Sequence, residues 1–122
     1  MSEALVIDDN RTTADALRQM LAFLGFKARV AYGSGAGMTV LGSGFIPGFV
    51  CLDINMPGLD GTEVPAYLRR EPHFIPVPVF VITSDDQPET RKKVIKLGAT
   101  AMLLKPATID VLEHALKKAK LL

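Results

Sequence analysis

The chain has little of what would tie it to an oxidising compartment, a membrane or a polyanion. Its single cysteine, Cys51, excludes an internal disulfide. The place of that cysteine in an apolar run marks it as a core thiol rather than a reactive one. Fourteen basic residues against thirteen acidic ones leave a formal net charge of +1, which removes any whole-chain electrostatic case for nucleic acid or anionic membrane as a partner. No apolar stretch approaches the roughly 20 residues needed to span a bilayer. Met1-Ser2-Glu3 lacks the basic start of a signal peptide, and Asp8 and Asp9 break the apolar run that follows. Low-complexity segments, charge blocks, internal repeats and a DNA-binding module are also missing. The expectation is a soluble cytoplasmic protein whose surface recognition is local.

What is present suffices for one domain spanning residues 1–122, because 48% hydrophobic content can fill a single core. Strand-like and helix-like patterns alternate, which argues for an α/β parallel sheet. Strands are expected at 4–7, 27–31 (an edge strand), 49–52, 77–83 (central, almost wholly apolar) and 101–104. Helices are expected at 11–24, with Leu17, Met20, Leu21 and Leu24 on one face and Gly25 as the stop, and at 88–97, between Pro88 and Gly98. The last helix, 108–120, presents Ile109, Leu112, Ala115, Leu116 and Ala119 on one face and ends in Lys117, Lys118 and Lys120, where cations suit the helix dipole.

Two helices read poorly. The segment 34–41 contains Gly35 and Gly37, each costing about 1 kcal/mol relative to alanine, so it should be short or labile, docked through Met38 and Leu41. In 62–70, Pro65 is tolerable only within the first turn or so. Residues 71–78, with Pro72, Pro76 and Pro78, read as a loop running into the fourth strand.

Asp53 is the most informative residue. It ends the apolar run Phe49-Val50-Cys51-Leu52, the kind of strand buried in a parallel sheet, and precedes the turn Met56-Pro57-Gly58. An ionised side chain there must be solvated, paired or metal-bound, because an isolated buried charge is very costly. The first strand also ends in acids, Asp8 and Asp9. The fourth ends in Thr83 and Ser84, and the fifth in Lys105 before Pro106. In an open parallel sheet those carboxyl ends share one edge, where ligands bind near a topological switch point. Three carboxylates gathered there would raise one another's pKa unless a cation were present. Oxygen ligands without thiolate or nearby histidine favour a hard divalent ion such as Mg2+. Such a site suits phosphoryl transfer onto a carboxylate, with Asp53 as nucleophile and a lysine and a hydroxyl stabilising charge on the phosphoryl oxygens.

Over essentially its whole length the sequence resembles the receiver domain of two-component response regulators. The resemblance rests on Val6-Ile7-Asp8-Asp9-Asn10, Leu52-Asp53-Ile54-Asn55-Met56-Pro57-Gly58-Leu59-Asp60-Gly61, Val81-Ile82-Thr83-Ser84 and Leu104-Lys105-Pro106, in that order and spacing. It implies a doubly wound, flavodoxin-like fold, with a five-stranded parallel sheet in the order 2-1-3-4-5 flanked by five helices. It also implies phosphorylation of Asp53 by the phosphohistidine of a sensor histidine kinase or phosphotransfer protein, or by a small acyl phosphate. Mg2+ (or Mn2+) would be held by Asp9, Asp53 and the backbone carbonyl of Asn55, with Asp8 helping directly or through water. Thr83 and Lys105 would contact the phosphoryl group, and Lys105-Pro106 would be a cis peptide. The fourth helix, fifth strand and fifth helix would form the signalling face toward a downstream protein or a further output domain. No nucleic acid or membrane would be contacted directly. Catalysis would be limited to the domain's own phosphorylation and dephosphorylation.

The departures from the family pattern touch the switch rather than the acceptor. Met102 stands where receivers usually carry Phe or Tyr, Ala107 where an aromatic follows Lys-Pro, and Ser84 where Ala or Gly is common. Asn55 and Asp85 occupy positions at which family members tune phosphoryl lifetime. Taken singly, each marked residue has a blander reading. Asp8 and Asp9 would serve as solvated strand ends or as caps of the first helix, Asp53 as a turn initiator, Thr83 as an ordinary strand residue, Lys105 as a surface lysine and Met102 as core filler. His73 and His114 have no ligand partners at useful spacing and read as surface residues.

Three other functional classes compete with a phosphorylated receiver. A receiver-like interaction module without a working phospho-switch is motivated by Met102 and the glycine-weakened second helix. A phosphatase with an aspartyl-phosphate intermediate wants a second acid where Asn55 stands. A flavin carrier wants a hydroxyl- and glycine-rich loop that the first strand does not lead into. Both a stand-alone regulator and a receiver cut from a longer protein are compatible with the sequence.

Overall fold

The structure is a computed structural model that describes residues 3–53 and 63–122. The turn Met56-Pro57-Gly58, the Asn55 carbonyl and the start of the third helix at Thr62 lie outside the described residues. Five parallel strands, β1 (Ala4–Ile7), β2 (Ala28–Ala31), β3 (Phe49–Asp53), β4 (Val79–Thr83) and β5 (Ala101–Leu104), pair in the order β2-β1-β3-β4-β5. The helices are α1 (Arg11–Phe23), α2 (Ser34–Gly42), α3 (Glu63–Arg70), α4 (Pro88–Lys96) and α5 (Ile109–Lys118). This is the doubly wound, flavodoxin-like architecture that the sequence implied.

Alternation along the buried strands divides the core into two layers. Leu5, Ile7, Val50, Leu52, Val79 and Val81 face one way, against Leu41 of α2, Leu68 of α3 and Val94 of α4. Val6, Phe49, Cys51, Phe80 and Ile82 face the other way, against Leu17 and Leu21 of α1 and Leu112 and Leu116 of α5. Phe49 makes edge-to-face contacts with Phe26 and Phe80 at 5.2 and 5.8 Å between ring centres, a favoured aromatic geometry. Cys51 is a core thiol as expected, and burial pushes its pKa up to about 12. Met102 is also core filler, packed in the first layer and 6% exposed. His73 and His114 lie at the surface.

Several boundaries move inward for local reasons. β4 begins at Val79 rather than 77, because the proline-rich lead-in closes a 3-10 turn over Pro72–Phe74. The last helix starts at Ile109, with the Thr108 hydroxyl accepting from the Val111 N–H as N-cap. It stops before Lys120, whose φ of 62° is left-handed. Pro65 is the third described residue of α3. The glycine-bearing α2 runs nine residues, and Gly37 has a packing reason: a Cβ there would lie 2.6 Å from Ile7 Cδ1. Among the described residues no helix is long and apolar enough to cross a membrane.

Candidate functional site

Strand register assembles the site. Ile7 pairs with Leu52, which sets Asp8 level with Asp53 at the carboxyl ends of adjacent strands. Asp53 pairs with Ile82, so Thr83 stands one step further on, and Thr83 pairs with Leu104, so Lys105 stands one step beyond that. The chain continues this ladder past β5, the Lys105 N–H donating to the Thr83 carbonyl at 2.8 Å. From there the lysine side chain reaches back, and its Nζ donates to Asp53 Oδ2 at 2.7 Å. The peptide bond Lys105-Pro106 is cis.

Asp8, Asp9 and Asp53 each offer a carboxylate oxygen within 4.8 Å of the others. Asp8 and Asp53 are buried, at 1% and 6% exposure, while Asp9 is open to solvent. Asp8 Oδ1 accepts from the Asn10 N–H at 3.0 Å, whereas Oδ2 is buried with no hydrogen-bond partner among the described residues. Burial pushes the Asp8 carboxyl up to about 6; the Asn10 N–H opposes this in part, and the neighbouring Asp53 carboxylate reinforces it. The capping role open to Asp8 and Asp9 falls to Asn10, whose Oδ1 accepts from the Thr13 N–H at 3.0 Å. A buried carboxylate oxygen without a donor, two further carboxylates at ligand spacing and a donor set made only of oxygen fit a hard divalent cation. The Asn55 carbonyl, expected to complete that set, lies outside the described residues.

Thr83 is fully buried at the end of β4. Its Oγ1 accepts from the Asp85 N–H at 3.1 Å. The Asp85 carboxylate accepts in turn from the Gln87 N–H at 3.0 Å and from the Thr90 hydroxyl, inside α4, at 2.6 Å. Those two bonds, the Thr90 hydroxyl first, hold the Asp85 carboxyl below its ordinary range. A hydrogen-bonded chain therefore runs from Thr83 to the first turns of α4. The sequence marked Asp85 only by its spacing from Thr83; Thr90 carried no signal, being one hydroxyl in a polar helix.

A second residue unseen from sequence is Arg69, at the end of α3. Its guanidinium donates to the carbonyls of Gly98, Ile75 and Val77 at 3.0, 2.8 and 2.9 Å, and to that of Phe74 at 3.3 Å. It staples the lead-in to β4 and the α4–β5 turn to α3. Gly98, at φ 101°, leaves room for it, since a Cβ there would lie 2.6 Å from Arg69 Cγ.

A doubly wound domain with an acidic cluster and a lysine at the carboxyl edge of its sheet has the form of a signalling receiver, and comparison with known proteins gives the family. Residues 4–117 match the sequence model of the response regulator receiver domain, and the chain belongs to that family. It is 33% identical over 108 residues to the response regulator MprA of Mycolicibacterium vanbaalenii and 32% identical to MprA of Mycobacterium tuberculosis. Those matches cover 88% of this chain but 46% of the relatives, so the chain spans about half their length. Among solved structures it resembles the signal receiver domain of a DNA-binding response regulator from Colwellia psychrerythraea, with 26% identity, a TM-score of 0.87 and 98% of each chain covered. The chemotaxis protein CheY4 of Vibrio cholerae shares the fold at 24% identity and a TM-score of 0.84, over 97% of this chain and 98% of that one. Receiver domains act in two-component signalling, where they interact with histidine kinases and downstream effectors and generally bind Mg2+ through acidic residues.

Proposed function

We propose that residues 1–122 form one receiver domain that takes a phosphoryl group onto Asp53 from a histidine kinase's phosphohistidine. The observation that carries this reading is the 2.7 Å contact of Lys105 Nζ with a buried Asp53 set level with Asp8. In the transfer an Asp53 carboxylate oxygen forms a bond to phosphorus while the P–N bond to the donor imidazole breaks, and the electron pair leaves with the imidazole. Asp53 is the nucleophile. Lys105, already paired with it, is placed to follow the negative charge onto the phosphoryl oxygens, and the buried Thr83 hydroxyl stands one register step away to donate to them. Asp8, Asp9 and Asp53, with the Asn55 carbonyl, would hold Mg2+ or Mn2+. Bound there, the cation would offset the carboxylates' mutual repulsion and supply charge for the incoming phosphoryl oxygens.

Output would run through α4, β5 and α5 to a downstream protein or a further output domain, with no direct contact to nucleic acid or membrane from this domain. A cytoplasmic working location follows from the donor. The only chemistry asked of the domain is its own phosphorylation and dephosphorylation. Intact-mass analysis after incubation with Mg2+ and a small acyl phosphate tests the reading. One phosphoryl adduct is expected, absent in Asp53→Asn and absent with chelator. No adduct on folded protein would favour an interaction module without a phospho-switch, and an adduct on Asp53→Asn would sink the assigned acceptor.

A further inference from the structure

The main chain of Thr83 is fixed: it pairs with Leu104 of β5, and its carbonyl accepts from the Lys105 N–H at 2.8 Å. What remains to be set is the side chain, which is fully buried. A threonine hydroxyl and methyl branch from the same carbon and are close in size, so apolar packing alone does not tell one χ1 rotamer from another. The choice matters beside a phosphoryl acceptor, because a rotamer exchange puts a methyl group where a donor is needed. A polar contact separates the rotamers: Thr83 Oγ1 accepts from the Asp85 N–H at 3.1 Å. That bond uses a lone pair of the hydroxyl rather than its proton, so it fixes the oxygen and keeps the group a donor. Asp85 is held in turn by its own carboxylate, which accepts from the Gln87 N–H at 3.0 Å and from the Thr90 hydroxyl at 2.6 Å. Gln87, at the N-cap of α4, makes no side-chain cap bond, so the Asp85 carboxylate does the fastening. Thr90 lies one helical turn before Val94, the buried residue that docks α4 on the core. The position of α4 is thereby passed to Thr90, then to Asp85, then to the Thr83 oxygen.

We infer that Thr90 is a positioning residue for phosphoryl transfer at Asp53, acting through Asp85 to keep the Thr83 hydroxyl, rather than its methyl, presented to the phosphoryl oxygens. The inference rests on the reading of Asp53 as the acceptor and extends it to two residues outside the acidic cluster. Thr90 needs no contact with the reacting atoms, since its effect passes through the Asp85 carboxylate and N–H. The bond-making step is unchanged: an Asp53 oxygen bonds to phosphorus as the donor's bond breaks, and the Thr83 O–H donates to a phosphoryl oxygen without giving up its proton. What Thr90 supplies is orientation set before the donor arrives, so that the hydroxyl need not be ordered during the transfer.

The test is the initial rate of adduct formation on the full chain with acetyl phosphate and Mg2+, read by intact mass over a range of donor concentrations. Thr90→Val keeps the shape of the side chain and removes its hydroxyl. It should lower the saturating rate roughly threefold to tenfold, the worth of one hydrogen bond, and leave the half-saturating donor concentration unchanged. Thr90→Ser should restore the rate. Thr83→Ala should itself slow the reaction, and on that background Thr90→Val should cost nothing further, because the two residues act as one unit. Three-bond couplings at the Thr83 methyl report χ1 without any phosphodonor. They should show one rotamer in the parent chain and in Thr90→Ser, and averaging between rotamers in Thr90→Val. The role is overturned if Thr90→Ser fails to rescue, if the losses from Thr83→Ala and Thr90→Val multiply, or if Thr83 keeps one rotamer in Thr90→Val. An adduct that forms equally fast on the parent chain and on Thr90→Val refutes the positioning role alone, whereas no adduct on any variant refutes the acceptor and this role with it.

Discussion

The two ends of the sheet handle charge in opposite ways. At the end where β4 and β5 begin, the Arg69 guanidinium is met by four backbone carbonyls. At the end where the strands finish, Asp8 and Asp53 are buried beside each other, with Lys105 paired to one of them and a buried Asp8 oxygen that has no donor among the described residues. The first arrangement is satisfied as it stands and gains nothing from a ligand. The second gathers buried carboxylates that one lysine only partly offsets, which is the condition under which a cation is bound rather than merely tolerated.

Removing charge should therefore have opposite signs at the two ends, and the largest effect is expected at Arg69. Arg69→Ala leaves several partly buried carbonyls without donors and is expected to cost about 2–4 kcal/mol in urea unfolding. A loss within about 0.5 kcal/mol, the range of an ordinary surface change, would show that water replaces the staple. Asp8→Asn removes a buried charge instead. In chelator at pH 7 it should stabilise the fold by about 1–2 kcal/mol while weakening Mg2+ binding about tenfold or more. Destabilisation by Asp8→Asn in chelator would end the contrast between the two ends.

The pH dependence sharpens the same point. The Asp8 carboxyl is raised from 3.8 to about 6 in the folded chain, so the folded state holds this proton more tightly than the unfolded one. Without metal, this group's contribution is most favourable at low pH and is lost as pH rises between those two values. Mg2+ binding runs the other way, because the ligand must be deprotonated. Below the raised pKa, affinity should fall about tenfold per pH unit, measured by Mg2+ titration at fixed ionic strength. In Asp8→Asn that slope should flatten.

The acidic end was legible in the sequence because it violates a rule that the rest of the chain obeys: a carboxylate at the end of an apolar strand has no packing purpose. The alternation of apolar runs likewise carried the α/β class, and the resemblance carried the strand order. The satisfied end was not legible, since Arg69 bonds backbone carbonyls and these have no residue signature. The same is true of the Asp85–Thr90 link. Gly37 was read as a weakness for want of one fact, its contact with Ile7.

That contact supplies the smallest and most local test. Gly35 and Gly37 lie in the same helix, and alanine at either gains up to about 1 kcal/mol of helix propensity. At Gly35 no atom lies within 4 Å of the added carbon, so Gly35→Ala should stabilise by about 0.5–1 kcal/mol. At Gly37 the new carbon would lie 2.6 Å from Ile7 Cδ1 and 3.0 Å from Cγ1, and Ile7 is fully buried. Overpacking of about 1–3 kcal/mol then outweighs the propensity, and Gly37→Ala should be destabilising by about 1 kcal/mol net. Ile7 immediately precedes Asp8, so the strain should also reach the acidic end, with Mg2+ affinity falling in Gly37→Ala and holding in Gly35→Ala. Equal Mg2+ affinities in the two variants would show that β1 absorbs the displacement before it reaches the carboxylates.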